Sequence, residues 1–436
     1  MRILVITNVF PPHHGGTFDF RCQAVTDALK LRGHEVKILT SNLGLNTEQR
    51  DAEIERRLHL NGAFGEPSVT GYNDVKKIEV HNTNVLRESV DAFQPDLLYI
   101  WSLSGLSKSL IFSARNTRIP TVYDVADQWI AEEIKADPWL EFWNAPSPAG
   151  GSSVMRMSLE LMGGRGRVDK EAPTRMMKGC ERVPELYTRG AHPEPDSITA
   201  FRFDRIYFCS DYLKAATLNA GFRVGHASVI HPGVKVDQFM HEIRPMGAPV
   251  QKLLTVAKLD DRSGVLTAVE ALKQLRDRNS KASLTIVGRG ESDYVAQLRS
   301  KVILDQLPVE FATIGPHPRE LLALMHKHDA YLHTSVSDEP YATTPLEAMA
   351  AGVPVIATCT GGIAEIVRHG ENALSYTPGS AIELCSRIQE LQLQPALRVQ
   401  MCETAQAEVA AQHNEVAVVD AIEAYLQESI QIWQHT

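Results

Sequence analysis

The chain has 436 residues, which at about 150 residues per domain predicts two large domains or three small ones. Its 44% hydrophobic and 22% charged residues are typical of a soluble globular protein, and its net charge of −9 argues against bulk nucleic-acid binding, which needs a concentrated basic face. Its six cysteines contain no C-x-x-C pair, so we expect reduced thiols and neither a disulfide framework nor a zinc site.

The beginning of the chain runs directly into a strand-like segment without the pattern of a signal peptide. No apolar run approaches the roughly 20 residues that cross a bilayer. We therefore expect a soluble, cytoplasmic protein, with which a peripheral contact at the inner membrane face is compatible.

Short apolar runs alternate with amphipathic segments in the first half of the chain, a pattern that predicts a parallel α/β domain. The predicted strands lie at residues 3–9, 36–40, 97–101, 121–125 and 206–210, and the predicted helices at 20–32, 75–93 and 212–220. Residues 43–73 are polar and give no clear strand. The stretch from about 132 to 204 does not show this alternation of apolar runs and amphipathic segments, so we interpret it as an insertion.

A second series of the same kind follows a proline-rich break at residues 243–250, which predicts a linker between two similar domains. The predicted strands lie at 253–257, 284–287, 311–314, 331–334 and 354–358, and the predicted helices at 265–275, 318–328, 363–369 and 416–433. The predicted domains are residues 1–243 and 244–415, with a terminal helix at 416–436 that can pack back on the first domain.

The segment EPYATTPLEAMAAGVPVIA, residues 339–357, is the most informative one. It places Glu339 in a loop and Glu347 in the first turn of a helix, where Thr344 suits the N-cap and Pro345 the first helical position. A helix N-terminus attracts phosphate, and a carboxylate there can accept hydrogen bonds from vicinal hydroxyls, as on a ribose. From spacing alone, a simple Thr344–Glu347 capping box explains the pattern equally well.

Three further segments also follow predicted strands of the second domain. They carry Lys258 and Arg262 in KLDDRSG, a glycine turn at 288–290, and Gly361 and Gly362 in TGGIAE. Ligands bind beyond the carboxyl ends of strands in open α/β sheets, so these segments should meet. Each taken alone also fits an ordinary turn or a solvated surface pair.

Together these segments resemble the retaining GT-B glycosyltransferases of family 4 (glycosyl transferases group 1), of the glycogen-synthase and sucrose-synthase type. The two glutamates separated by seven residues, with the continuation EAMAAGVPVIA, carry most of the resemblance. It covers the chain apart from about 43–95 and 132–204. The implied fold class is α/β, with two Rossmann-like domains facing each other across a cleft.

The resemblance also implies roles for individual residues. Glu347 would bind the nucleotide ribose, Glu339 would support catalysis beside the donor sugar, and Lys258 would bind the diphosphate. The implied catalytic residues are Glu339, Lys258 and Asp127. The implied donor-binding residues are Gly16, Lys258, Arg262, Glu339, Thr343, Glu347, Gly361, Gly362 and Ile363, the last three through backbone N–H groups. The implied acceptor-binding residues are His13, His14 and Gly15, although ordinary loop glycines and surface histidines also fit those positions.

Two positions depart from the family pattern. Ser263 stands where the family has a second basic residue, a lysine, and Arg262 beside it is the candidate substitute. Ala126 stands where family members often have a histidine near the donor sugar. Residues Tyr123, Asp124 and Gln128 are open alternatives for that contact.

The implied activity is transfer of a hexosyl unit, with retention, from a nucleotide-diphosphate sugar (UDP, GDP or ADP) to a hydroxyl of a sugar, lipid-linked or small-molecule acceptor. Cell-surface polysaccharide or glycolipid synthesis is the implied context. The nucleotide sugar is a substrate, and neither a cofactor nor a metal is expected. The alternatives are a catalytically impaired nucleotide-sugar-binding protein and a sugar-nucleotide epimerase on the same fold.

Overall fold

The computed structural model describes residues 1–13, 17–45, 48–134, 136–139, 203–222, 224–315 and 318–435. Most of the predicted insertion lies outside these residues. The chain divides into two compact units. The first unit comprises Met1–Cys209, Leu213–Ile230 and Val419–Thr436, and the second comprises Ser210–Tyr212 and His231–Val418. Residues 231–243, predicted to end the first domain, therefore belong to the second unit.

The first unit is built on an eight-stranded sheet in the order β3-β4-β2-β1-β5-β6-β7-β8, parallel except for β3. Its strands are β1 (Arg2–Thr7), β2 (Glu35–Ser41), β3 (Gln49–Arg50), β4 (Ile54–Leu58), β5 (Leu97–Ser102), β6 (Thr121–Val125), β7 (Phe203–Phe208) and β8 (Val224–Val229). Up to residue 230, its helices are α1 (Thr17–Leu31), α2 (Tyr72–Phe93), α3 (Leu110–Asn116) and α4 (Asp211–Asn219), the last of which begins with two residues assigned to the second unit. A π-helical turn lies at Trp129–Glu133.

The expectation that residues 43–73 contain no strand is wrong, because β4 lies there with a polar sequence. Glu55, Arg56 and Arg57 of β4 are buried. Lys37 lies 2.6 Å from Glu55, and Arg57 lies 2.7 Å from Glu88. The Arg56 guanidinium donates to two backbone carbonyls of the loop after β1. The buried charged side chains of β4 are stabilised by charges of opposite sign in place of apolar packing. A search for runs of apolar residues, or for their alternation with polar ones, therefore misses this strand.

The second unit is built on a six-stranded, all-parallel sheet in the order β11-β10-β9-β12-β13-β14. Its strands are β9 (Lys252–Val256), β10 (Ser283–Val287), β11 (Val309–Ala312), β12 (Ala330–His333), β13 (Val355–Thr358) and β14 (Leu374–Tyr376). Its helices are α5 (Val236–Phe239), α6 (Val265–Asp277), α7 (Ser292–Leu304), α8 (Pro318–Lys327), α9 (Thr344–Ala350), α10 (Ala381–Leu393) and α11 (Pro395–Gln412).

The helix predicted at residues 363–369 is wrong. The structure has a 3₁₀ turn at Gly361–Glu365 and no continuing helix. Asn372 explains the early end, because its side chain accepts the amide of Arg368 (2.8 Å) and donates to the carbonyl of Ile366 (2.9 Å). These bonds occupy backbone groups that a longer helix would need.

The terminal helix α12 (Glu415–His435) packs on the first unit from Val419 onward. Arg32 lies 2.6 Å from Asp420 and 2.7 Å from Glu423, and the Tyr425 hydroxyl donates to the carbonyl of Ile206 (2.9 Å). Among the described helices, none combines the length and apolar character needed to span a membrane.

Candidate active site

Four loops of the second unit form a continuous strip at the carboxyl ends of β9, β10, β12 and β13. The amide of Leu259 donates to the carbonyl of Arg289 (2.9 Å), which joins the first two loops. The amide of Val336 donates to the carbonyl of Arg262 (2.9 Å), and the Thr360 hydroxyl donates to the carbonyl of Ser337 (3.1 Å). The segments singled out in the sequence therefore meet at one edge of the sheet.

Lys258 and Arg262 share one carboxylate, that of Asp260. The Lys258 ammonium lies 3.4 Å and the Arg262 guanidinium 3.7 Å from Asp260, while both basic side chains remain largely exposed, at 67% and 74%. Asp260 itself is buried and accepts the amides of Arg262 (3.1 Å) and Ser263 (3.2 Å). Asp260 thus fixes the turn that holds two cations before helix α6. The sequence analysis missed this residue, although an Asp two and three positions before the amides that it caps is a recognisable signal.

Ser263, the departure from the family pattern, has a structural role. Its side chain is buried and its hydroxyl donates to the carbonyl of Asp260 (2.6 Å), while its own carbonyl accepts the hydroxyl of Thr334 (2.7 Å). A side chain held in this way closes the turn between β9 and α6. It does not add a charge to the strip.

Gly361 and Gly362 lie against the backbone that carries Glu339. Gly361 has φ +59°, and a Cβ there would overlap the backbone of Glu339, so only glycine fits. The amide of Gly362 donates to the carbonyl of Glu339 (2.8 Å). This amide is therefore engaged inside the unit, which corrects the expectation that it is offered to a ligand. In this conformation Gly362 holds the Glu339 loop in place.

Glu347 lies in the first turn of α9, as the sequence predicts, but no capping box forms. Thr343 occupies the N-cap, no side chain caps the helix, and Thr344 is already helical. The amide of Glu347 donates to the carbonyl of Thr343 (3.0 Å). The side chain of Glu347 is half-buried, and burial raises its pKa to about 7. Burial of a carboxyl group costs free energy, and here the side chain does not offset that cost by capping the helix. Such a carboxyl group is typical of a functional position.

Two buried side chains of β12 lie close to the glutamates. Tyr331 and His333 are i and i+2 on the strand, so they point to the same face of the sheet. Burial, and then the charges of Glu339 and Glu347, raise the pKa of Tyr331. Burial lowers the pKa of His333, against the opposing effect of Glu339. The sequence analysis treated both residues only as part of a strand.

In the first unit, Asp127 follows β6 and is half-buried. Its carboxylate accepts the hydroxyl of Ser102 (2.7 Å) and the amide of Trp129 (3.2 Å). Burial raises the pKa of Asp127 to about 6, although these two hydrogen bonds act to lower it. Asp127 therefore ionises at a higher pH than an ordinary aspartate.

The structure also narrows the alternatives for the contact missing at Ala126. Asp124 is fully buried in an ion pair with Arg21 (3.0 Å) and accepts the hydroxyl of Tyr207 (2.6 Å). Tyr123 is buried in the sheet, packed edge-on against Phe203. Both side chains are buried, so of the three candidates only Gln128 has a partly exposed side chain.

The loop after β1 is described as far as His13, whose ring packs against the backbone of Gly44. The predicted sites at His14, Gly15 and Gly16 lie outside the described residues. Arg56 anchors the described part of this loop through the carbonyls of Phe10 and Pro11. Arg56 escaped the sequence analysis together with its strand.

Among the described residues, one group offers metal-ligand atoms close together: Glu48, His59 and His81, within 4.8 Å of one another. Arg57 already pairs with Glu48 (3.1 Å), and its carbonyl accepts His81 (2.7 Å). A guanidinium beside the carboxylate opposes a second cation. The group lies at the edge of the first unit and shares no residue with the strip described above.

Comparison with known proteins relates the second unit to a family. Residues 240–408 match the family model for glycosyl transferases group 1. The glycogen synthase of Mycobacterium tuberculosis is 34% identical over 155 residues, which are 35% of this chain and 36% of that protein. A putative colanic acid biosynthesis glycosyltransferase of Salmonella typhimurium is 28% identical over 170 residues, 37% of this chain and 41% of that protein. The chain thus aligns with well under half the length of these relatives.

Solved structures resemble the whole chain. A sucrose-phosphate synthase from Thermosynechococcus elongatus has a TM-score of 0.66 at 17% identity and covers 100% of both chains. Anabaena HepE, solved with UDP and glucose, has a TM-score of 0.64 at 18% identity and covers 98% of this chain and 99% of its own. These likenesses show the fold: two Rossmann-like halves, as in GT-B glycosyltransferases.

Proposed function

We propose that the protein is a glycosyltransferase that moves a hexosyl unit from a nucleotide-diphosphate sugar to a hydroxyl of an acceptor. One observation carries the proposal. The hydrogen-bonded strip of the second unit places Glu347, in the first turn of a helix, on the same sheet edge as two exposed cations, Lys258 and Arg262. Such a strip combines an acceptor for ribose hydroxyls with positive charge for a diphosphate.

The roles of the residues follow from this arrangement. Ionised Glu347 accepts the two ribose hydroxyls of the donor. Lys258 and Arg262 stabilise the negative charge that develops on the leaving diphosphate, and one such preorganised contact is worth about 3 kcal/mol. Glu339 is held beside the donor sugar by the amide of Gly362. Asp127 and Gln128 are the candidate substrate contacts of the first unit.

We further propose that the transfer retains the anomeric configuration, as the resemblance to family 4 implies, and requires neither metal nor cofactor. The bond between the anomeric carbon and the phosphate oxygen breaks, and the acceptor oxygen forms its bond to that carbon on the same face. The departing phosphate oxygen takes the proton of the acceptor hydroxyl, so no protein nucleophile is needed. Relatives are named for colanic acid, lipopolysaccharide core and glycogen synthesis, which supports a role in polysaccharide or glycolipid assembly. We propose that the protein has this role in the cytoplasm. A peripheral contact with the inner membrane face is compatible with that role.

The test uses the full-length protein with UDP-, GDP- and ADP-sugars. We expect one donor class to raise the melting temperature and to release nucleotide when an acceptor is present. Replacing Lys258 and Arg262 together by Ala should weaken donor binding about 100-fold or more, because each contact to a charged group contributes about 1.5–3 kcal/mol and the two together about 3–6 kcal/mol. The control is Lys281→Ala, an exposed cation that precedes β10 at the opposite edge of the sheet. If no nucleotide sugar changes the melting temperature, the proposal is wrong.

A second candidate, a nucleotide-sugar-binding protein without transfer activity, is favoured by one observation. Ser263 closes the turn where the family has a second basic side chain, so the second cation of the strip comes from Arg262, which starts from a different backbone position. A donor that stabilises the protein but releases no nucleotide with any acceptor of a broad panel would support this candidate. An epimerase on the same fold would instead convert the donor sugar while the diphosphate stayed attached.

A further inference from the structure

The first unit contains a cavity of about 230 Å³ that no part of the donor strip uses. Its walls come from the loop after β4, one face of α2, the loop after β5 and the segment after the π-helical turn. The lining loops follow the parallel strands β4, β5 and β6, of which β5 and β6 are neighbours while β4 lies beyond β1 and β2 in the sheet. Ligands of α/β sheets bind at the edge where such strands end. The cavity therefore occupies a ligand-binding position in its unit. We call it the acidic cavity, after Glu79, Glu133 and Asp137 in its lining.

Hydrogen bonds within the protein hold the walls of the acidic cavity in place. The amide of Asn61 donates to the carbonyl of Gly105 (2.8 Å), and the Asn61 side chain exchanges two hydrogen bonds with the backbone of Val69 (2.8 and 3.0 Å). Gly105 has φ +70°, and a Cβ there would overlap Ala63. The two loops thus touch closely only because this residue is glycine.

The one lysine of the acidic cavity is fully engaged. Lys108 is 3% exposed, and its ammonium donates to the carbonyls of Leu103 (2.6 Å) and Leu106 (3.0 Å) and to Glu133 (2.9 Å). An ammonium has three donors, so none is left for a ligand. Lys108 offsets the charge of Glu133 and offers no hydrogen bond to an anion.

Glu79 and Asp137 are buried in the lining, 3% and 7% exposed. Burial, and then the charge of Asp137, raise the pKa of Glu79 well above its ordinary value, which favours the protonated acid, and the Ser109 hydroxyl donates to this carboxyl group. The lining then presents a carboxylic acid, which donates, and a carboxylate, which accepts.

Asp137 accepts the amides of Lys108 (3.2 Å) and Trp139 (3.0 Å), and Glu133 is paired with the Lys108 ammonium (2.9 Å). The described lining thus offers acidic groups and no free cation. A phosphate or carboxylate ligand is therefore disfavoured.

The acidic cavity is also tied to Asp127. The Ser102 hydroxyl donates to Asp127 (2.7 Å), the amide of Ser104 donates to the Ser102 oxygen (3.1 Å), and the Ser104 hydroxyl donates to Glu133 (2.6 Å). One serine loop thus connects the first-unit residue predicted to act in catalysis with the wall of the cavity.

We propose that the acidic cavity binds one uncharged sugar ring of the acceptor, an inference that rests on the proposed function. Glu79 and Asp137 supply a donor and an acceptor for ring hydroxyls, and Val75, Ile78 and Leu106 supply apolar surface for its C–H face. The volume is below the roughly 300 Å³ at which drug-sized ligand sites begin, so it suits a single ring.

The test is saturation-transfer NMR on the full-length protein without donor. The probes are methyl α-glucoside, methyl α-galactoside, methyl α-mannoside, glucosamine and glucose 6-phosphate. We expect at least one neutral glycoside to receive saturation and glucose 6-phosphate to receive none. Asp137→Asn should weaken that signal about tenfold or more, since it removes a charged hydrogen-bond partner. Ala136→Trp should abolish it by filling the mouth of the cavity from an exposed position. Glu132→Gln, an exposed neighbour of Glu133 in the same turn, is the matched control and should change nothing.

Three results would overturn the inference: no neutral glycoside bound by the wild type, a signal kept in Ala136→Trp, or a preference for the amine or the phosphate. The melting temperature with nucleotide sugars is recorded on the same samples. It distinguishes a failure of the acidic-cavity proposal from a failure of the proposed function. Donor stabilisation with no glycoside signal rejects only the acidic cavity, whereas a glycoside signal without any donor effect rejects the transferase.

Discussion

At the scale of single residues, the decisive side chains are those held at an energetic cost. Glu347 has no capping role, yet it is half-buried with a pKa of about 7. The sequence placed it correctly in the first turn of a helix but did not decide between a cap and a ligand contact. Asp260 shows the opposite case: its capping of two amides has a sequence signal, but its contact with the Lys258 ammonium is evident only in the structure.

Glu347→Gln should separate stability from binding. The pKa of Glu347 is raised from 4.5 to about 7 in the folded protein, so its favourable contribution is complete below pH 4.5 and is lost as the pH rises through 7. The variant keeps a neutral side chain, so at pH 8 it should be more stable than the wild type by about 1–3 kcal/mol. Denaturant unfolding at pH 5 and pH 8 measures this difference, which should be small at pH 5.

The affinity for nucleotide should also depend on the ionisation of Glu347, but it should rise with pH where the stability of the fold decreases. A carboxylate accepts the ribose hydroxyls, so wild-type affinity should fall as the pH drops through about 7, and Glu347→Gln should bind weakly at every pH. Isothermal calorimetry across pH 5.5–8.5 tests this, with the exposed Glu403→Gln as control. If the variant binds nucleotide as tightly as the wild type, Glu347 is not a ligand contact.

At the scale of elements, the loops after the strands depend on close backbone approach. The sequence predicted that four segments meet at the carboxyl ends of β9, β10, β12 and β13, and the hydrogen bonds between them confirm it. It did not predict that Gly361 and Gly362 serve the Glu339 loop. That role depends on which backbone lies opposite, and local propensity does not contain this information.

Gly361→Ala should be more damaging than an ordinary substitution at a positive φ. Gly361 (φ +59°) lies against the Glu339 backbone, whereas Gly379 (φ +78°) has open space around its Cβ position. Gly379→Ala should therefore cost only the conformational strain, about 1 kcal/mol, while Gly361→Ala adds overlap and displaces the Glu339 loop. Thermal unfolding and donor turnover measure the two effects. Equal losses in both variants would argue against a role for the contact.

At the scale of the whole molecule, the chain forms two sheet units, and its last helix belongs to the first of them. Ile422 and Leu426 of α12 are completely buried there, next to the Arg32 ion pairs. The first unit is therefore completed by residues almost 200 positions beyond Ile230, where the chain leaves it.

Leu426→Ala should destabilise the first unit by about 2–5 kcal/mol, because it leaves a cavity in a closed core. Calorimetric unfolding with and without nucleotide sugar tests this. The transition of the first unit should move to lower temperature, while the stabilisation by the donor, which we assign to the second unit, should persist. Leu393→Ala, at a leucine 79% exposed, is the control and should have little effect. An unchanged transition in Leu426→Ala would mean that α12 does not support that core.

The sequence by itself determined the two α/β units, most of their strands and the segments of the donor strip. Those features follow from buried apolar runs and local turn chemistry, which depend on near neighbours in the chain. Only the tertiary structure decided the strand β4, whose buried charges are satisfied by Lys37 and Glu88 from other elements. The same holds for the inward-facing Asp124, for Ser263 as a turn residue and for the acidic cavity. Each depends on groups far apart in sequence, whose charges and hydrogen bonds are matched only when the chain is folded.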